Sequence, residues 1–261
     1  MRYIKLYCEL VKQSFIRAMA YRMNFITVLL TNFAYFLVQL FFINIIFGEV
    51  DLIAGWSKYE MFFYIGTFAL VDGLWVFGPY FNLRELPNLI RNGDFDTYLL
   101  KPVNSQFFAS LRKIDVGSIM SALTGVVMIS YAAVSGGFYI TVKGIILYVI
   151  ALFLALLVEY SLYTILICLA FKIMKVDFAE VFHGIVCCFA NRPADIYKGF
   201  LRRLIITIFP YGLVMTIASR SALSKITVLE YGYIIVISLI TFTLSCLCWK
   251  IAIRRYGSAS S

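Results

Sequence analysis

The sequence predicts an all-α integral membrane protein. It has six transmembrane helices, an N-terminal interfacial amphipathic helix, and external re-entrant helices between spans 5 and 6. Three observations carry this reading. Hydrophobic residues make up 62% of the chain and charged residues 14%, whereas a soluble domain is about a quarter charged and under half apolar. The surplus cannot be hidden in one globular core and calls for lipid. Several apolar windows also reach the roughly 20 residues that a spanning helix needs. Lastly, most lysines and arginines fall in alternate connections, which sets the orientation of a multi-pass chain. No long-period repeat or low-complexity stretch interrupts the sequence, so 1–261 reads as one transmembrane domain.

Residues 1–22 come first. They carry Arg2, Lys5, Lys12, Arg17 and Arg22 against the single acid Glu9, and Ile4, Tyr7, Val11, Phe15 and Ala18 recur at helical spacing. A basic amphipathic helix of this kind lies in the headgroup plane. Its charges are spread out rather than gathered ahead of a short apolar run, so the first span is expected to be its own insertion signal. That span covers about 23–47 and the second about 59–81. Between them, Glu49 and Asp51 face Lys58, a near-neutral balance that fits the outer side. The polar segment 82–113 follows. Then come the third span at 114–134, a short turn, the fourth span at 144–171 and a basic turn at 172–177. The last span is about 231–253. The N-terminus, the 82–113 segment, the 172–177 turn and the tail "RRYGSASS" share one side if the spans alternate. Their positive charge puts them, and both termini, in the cytoplasm.

Residues 178–230 break the pattern. Both ends on one side require an even number of crossings. One short apolar run, "FAEVFHGIVCCFA", supplies the fifth crossing. The rest, 191–230, is interrupted by Pro210 and Gly212 and reads as an external segment that dips in and returns. Broken backbone at membrane depth is tolerated only where protein or a water-filled cavity shields it. The basic cluster 192–203 then lies outside, against the positive-inside tendency.

No phosphate-binding loop, G-x-S-x-G elbow, H-E-x-x-H or glycine-rich dinucleotide fingerprint is present. The six cysteines show no zinc-site spacing, and the lone His183 has no ligand cluster near it in sequence. No catalytic residue, metal site or nucleic-acid partner is expected. Two ionisable residues lie inside spans, where charge is costly: Asp72 in the second and Glu159 in the fourth. Each either meets a translocation pathway or pairs between helices. Asp115 and Glu180 sit near span ends, where structural roles fit. Trp56, Tyr59, Tyr80 and Trp249 suit an interfacial aromatic belt.

The stretch "IRNGDFDTYLLKPVNSQFF", residues 90–108, is the most polar in the chain. Asn92-Gly93 signals a turn. Asp94 is placed to cap a following helix, and Asp96 falls in its first turn, where negative charge is favoured. Phe95, Tyr98 and Leu99 are expected to share one side of that helix, and Pro102 to end it. A short fixed helix between two spans can act as a lever.

Ile90, Arg91, Gly93, Asp96, Leu99, Leu100, Lys101 and Pro102 resemble the signature of membrane subunits of type-2 ABC (ATP-binding cassette) exporters. "NRPADIYKGFLRRLIITIFPYGLV", with Pro193, Ile196, Tyr197, Leu201, Arg202 and Pro210, is similar to the external segment of the same branch, and the tail to its end. The resemblance implies a permease in a bacterial cytoplasmic membrane, with a coupling helix between spans two and three. Arg91, Gly93, Asp94, Asp96, Leu99, Leu100, Lys101 and Pro102 then meet an ATPase. Two permease chains, identical or related, form the pathway. Two separate ATPase subunits carry ATP and magnesium, and this chain binds no cofactor. Two other readings compete: a proton-coupled secondary transporter using Asp72 or Glu159, and a non-transporting scaffold or immunity protein. The former class usually shows paired broken helices in internal repeats, and only one broken region is found.

Overall fold

The computed structural model describes residues 2–19, 22–173, 177–208 and 210–256. Residues 20–21 of the interfacial segment, 174–176 of the basic turn, 209 of the re-entrant segment and 257–261 of the tail lie outside the described residues. Among those described the structure is helical, apart from one isolated bridge between Ile53 and Trp56. Five rods are long and apolar enough to cross a bilayer: Ile26–Glu49, Lys58–Arg91, Val116–Ser135, Val142–Lys172 and Val228–Arg254.

In chain order, α1 (Arg2–Met19) and α2 (Arg22–Glu49) precede α3 (Lys58–Trp75). A π-helical turn, Val76–Tyr80, joins α3 to α4 (Phe81–Arg91). The second span therefore does not stop near residue 81 as its apolar run implies. Pro79 sits inside the widened π turn, where the missing N–H and the bulk of its ring bend the path less than in a tight α turn. Next come α5 (Asp96–Leu99), α6 (Ser105–Leu111), α7 (Ile119–Ser135), α8 (Val142–Ile167) and α9 (Ala170–Ile173). The chain ends with α10 (Asp177–Ala190), α11 (Gly199–Ile208), α12 (Pro210–Ala222) and α13 (Val228–Arg254).

Polar caps set several starts ahead of the apolar runs. The Ser57 N–H donates to Glu60 Oε2 at 3.0 Å. Thr141 Oγ1 accepts from the Gly144 N–H at 3.1 Å. Thr227 and Glu230 form a reciprocal capping box. Each satisfies helix-end donors that lipid cannot.

The spans hold together through close backbone approach and a few polar links. Gly66, Gly73 and Gly125 bring α3 against α7. A Cβ on Gly125 would lie 2.5 Å from the Leu70 nitrogen, and one on Gly73 would lie 2.4 Å from the Ala122 nitrogen. Gly125→Leu is therefore expected to force the helices apart at a cost of about 3 kcal/mol. Thermal unfolding in detergent measures this, and an unshifted transition would refute it. Across other contacts, Thr67 and Tyr148 share a hydroxyl bond of 2.8 Å, and the Tyr231 hydroxyl donates to the Leu147 carbonyl at 3.0 Å. On α2, by contrast, Leu30, Phe33, Val38 and Phe41 remain exposed, as lipid-facing or partner-facing residues do.

The two ends of α10 meet opposite ends of the second rod. Glu180 pairs with Arg84, and the Ala190 carbonyl accepts from the Tyr64 hydroxyl at 2.7 Å. The α11 and α12 helices meet at a 90° bend. Tyr211, just past the bend, lines a cavity with Glu159 in the middle of α8. Asp195, ahead of α11, bonds Trp56.

Candidate functional site

The polar segment is closed at its base by the π turn. A π turn leaves carbonyls without their usual partners. The Phe77 carbonyl accepts from the Asp115 N–H at 3.1 Å, and the Gly78 carbonyl accepts from Asn82 Nδ2 at 2.8 Å. The buried Asn82 also donates to the Lys113 carbonyl at 2.7 Å and accepts from the Lys113 N–H at 2.9 Å. Next to it, the Ile114 N–H donates to Ser14 Oγ on α1 at 3.2 Å. One amide side chain thus pins the two ends of the 82–113 segment together, and the N-terminal helix leans on the same point.

Beyond α4 the chain turns at Gly93, whose φ of +78° favours glycine. No atom lies within 4 Å of a Cβ there, so backbone conformation, not space, sets the requirement. The following helix is a single turn, Asp96–Leu99. Its N-cap is Phe95, with no side-chain bond, so Asp94 does not cap it as expected. Asp94 contributes its carbonyl instead, accepting from Thr97 Oγ1 at 2.8 Å. Phe95 and Tyr98 are buried, as one face requires, but Leu99 is 38% exposed and Leu100 84% exposed. A one-turn helix has no repeating face, so Leu99 falls outside the buried side. Arg91, Asp94, Lys101 and Pro102 are also exposed.

Phe95 is the anchor. Its ring lies 5.7 Å from Tyr98, 5.3 Å from Phe171, 5.5 Å from Tyr256 and 6.2 Å from Trp249. Beyond Tyr98 of the same turn, these partners come from α9 and from the end of α13 and the residues after it. Asp96 sits beside Tyr256, and burial together with that carboxylate raises the Tyr256 phenol above its ordinary range. Trp249 is buried and donates to Ser105 Oγ at 3.2 Å, so it is a link between α13 and α6 rather than a belt residue. Arg112 lies over the Tyr98 ring at 5.0 Å and Lys101 over Phe108 at 5.5 Å. Asn104 Oδ1 caps α6 by accepting from the Phe107 N–H at 3.0 Å. Leu99 and Leu100 are thus an apolar tip on a rigid aromatic base.

One of the two mid-span carboxylates, Glu159, meets the lone histidine. Glu159 is buried, and its Oε1 lies 3.2 Å from His183 Nε2. Asp72 is half-buried and near enough to act electrostatically on both. Trp75 Nε1–H donates to the same His183 nitrogen at 3.1 Å. Nothing local in the sequence marks this grouping, since α3, α8 and α10 each contribute to it.

The segment 191–230 is held by a second polar hub. Asp195 accepts from Trp56 Nε1 at 3.0 Å and from Arg220 at 2.6 Å, and lies 3.7 Å from Arg202. Arg220 also reaches Glu230 at 3.0 Å, and Lys225 pairs with Glu60 at 2.6 Å. Arg192 lies over the Phe42 ring at 5.2 Å. Several cations of this basic region are thereby engaged locally. Pro193 opens the 3₁₀ turn Ala194–Ile196, the Tyr197 hydroxyl donates to the Phe189 carbonyl at 3.0 Å, and Pro210 begins α12. Asp195→Ala is expected to cost about 2 kcal/mol, because it leaves an indole N–H unpaired and takes from the half-buried Arg220 one of its two carboxylates. Thermal unfolding checks it. A loss below about 0.5 kcal/mol, the usual surface value, would show the hub to be slack.

Between α3, α6, α8 and α13 lies a cavity of about 770 Å³, walled by Leu74, Phe77, Leu111, Phe153 and Phe242. Its polar exceptions include Tyr160 and Ser110, whose hydroxyls are 3.0 Å apart.

The family described as ABC-2 family transporter protein matches the chain over residues 33–260. No curated protein matches it.

Proposed function

Since this chain belongs to the ABC-2 family of transporter membrane proteins, we propose that it is the permease subunit of an ATP-driven exporter. One observation carries the coupling: an exposed Leu99-Leu100 tip stands on a buried aromatic base tied to α9 and α13. A free apolar tip on a rigid mount is what a partner needs to grip if its movement is to reach the spans. Arg91, Gly93, Asp94, Asp96, Lys101 and Pro102 surround it.

In this reading the five rods and the shorter α10 make six crossings, with α11 and α12 as the external re-entrant pair. The contacts of α10 with both ends of the second rod support the former. The 90° bend and the approach of Tyr211 to Glu159 support the latter. Both termini are cytoplasmic, in a bacterial cytoplasmic membrane. Two ATPase subunits, holding ATP and magnesium, bind the polar segments of two permease chains. The aromatic-walled cavity suits an amphiphilic cargo.

The test is mild detergent extraction of the tagged chain from its native membrane, followed by identification of co-purifying polypeptides. A stoichiometric soluble ATPase is expected. A single species without ATP-dependent activity would overturn the reading. If transport then followed a pH gradient, the grouping of Asp72, Glu159 and His183 would carry the proton-coupled alternative.

A further inference from the structure

Glu159, His183 and Cys187 bring an oxygen, a nitrogen and a sulfur to one point, all within 4.8 Å of one another. His183 and Cys187 are four residues apart on α10 and so share a face. Glu159 reaches in from α8. The two separations from the His183 nitrogen are those of a metal polyhedron. Around tetrahedral zinc, bonds of about 2.0 Å to nitrogen or oxygen and about 2.3 Å to sulfur put nitrogen and oxygen about 3.3 Å apart, and nitrogen and sulfur about 3.5 Å apart. His183 Nε2 lies 3.2 Å from Glu159 Oε1 and 3.5 Å from Cys187 Sγ.

The surroundings also point to a cation. Glu159 and the Tyr211 hydroxyl are buried beside one another on the same space, with Glu159 Oε2 and that hydroxyl each outside good hydrogen-bond geometry. That space, lined by Glu159, His183 and Tyr211, is about 10 Å³, the lower bound for one water-sized guest. Among the described residues, the ion-pair partner of Glu159 is His183 alone, so no arginine or lysine neutralises it. The rings of Trp75, Tyr80 and Tyr163 close around His183 at 6.1, 5.3 and 5.4 Å and keep the local dielectric low. One thiolate and one carboxylate on a divalent ion give a neutral unit, the arrangement of least cost in such a place. Asp72, close by, adds attraction for a cation.

We propose that this chain holds a divalent transition-metal ion, zinc by its ligand set, on Glu159, His183 and Cys187, with the fourth position open to water. An oxygen, imidazole and thiolate set selects zinc over magnesium or calcium. Binding displaces the Trp75 bond to His183 Nε2 and releases the Cys187 proton. The ion then staples α8 to α10, beside α3. This site goes beyond the permease reading and does not depend on it.

The test uses the full chain in detergent, stripped with a chelator and titrated with cobalt(II). One equivalent per chain is expected, with a thiolate-to-cobalt charge-transfer band and the strong visible absorption of tetrahedral cobalt, both removed by zinc. Cys187→Ser abolishes the charge-transfer band. Glu159→Gln keeps that band but weakens binding by about a hundredfold or more, as befits a lost direct ligand. Cys188→Ser, at the exposed neighbour, changes neither. The unfolding temperature of each metal-free variant shows that it is folded. Absence of the band in the wild-type chain, its survival in Cys187→Ser, or full affinity in Glu159→Gln would each overturn the site. Since no ATPase or transport is measured, failure here is separate from failure of the permease assignment.

Discussion

Leu100→Asp is expected to weaken ATPase binding by about a hundredfold, about 3 kcal/mol. The side chain is 84% exposed, so within this chain the change costs about 0.5 kcal/mol or less. In a docked complex the same residue enters an apolar contact, where an unpaired carboxylate is heavily penalised. The expected result is a chain that inserts and unfolds as the wild type does but no longer co-purifies with the ATPase. Equal recovery of the ATPase from Leu100→Asp and wild-type membranes would move the grip elsewhere on the segment.

Phe95→Ala is expected to act on transmission instead. Phe95 is fully buried, with rings from α5, α13 and the chain around α9 on its faces. Truncation removes about 3–5 kcal/mol of packing and frees the tip from α9 and α13 while leaving Leu100 in place. The ATPase should still associate and hydrolyse ATP, but the transport achieved per ATP should fall about tenfold, and Phe95→Leu should restore part of it. Co-reconstituted vesicles, with hydrolysis and transport read together, give the ratio. An unchanged ratio in a destabilised Phe95→Ala protein would mean that the aromatic base only holds the fold.

The five long rods were legible because a long apolar run is a one-dimensional signal. The turn at Gly93 was legible for the same reason, since its chemistry is local. Buried Phe95 and Tyr98 followed from spacing, whereas Leu99 did not, since one turn is too short to define a face. The anchors Phe171, Trp249 and Tyr256 lie far along the chain, and no local pattern ties them to Phe95. Trp56 and Trp249 looked like belt residues. Their indole N–H groups instead serve Asp195 and Ser105 inside the protein. His183 looked solitary because Glu159 comes from another helix. The one available hint was Cys187, four residues on. Asn82 carried no signal at all, since its role exists only once the π turn has freed a carbonyl.

That π turn has a consequence for how the protein tolerates change. In an α-helix each residue advances the chain by about 100° around the axis, and a π turn accommodates one residue more. The extra residue held between Val76 and Tyr80 therefore leaves the azimuth of α4, and with it the direction in which Leu100 faces, as an unbroken α-helix would set it. Substitutions there can be absorbed. Deleting a single residue from this turn would only return it to α form, whereas deleting one from α4, which holds no spare residue, would swing everything beyond it by about 100°, aiming an intact tip at the wrong neighbour.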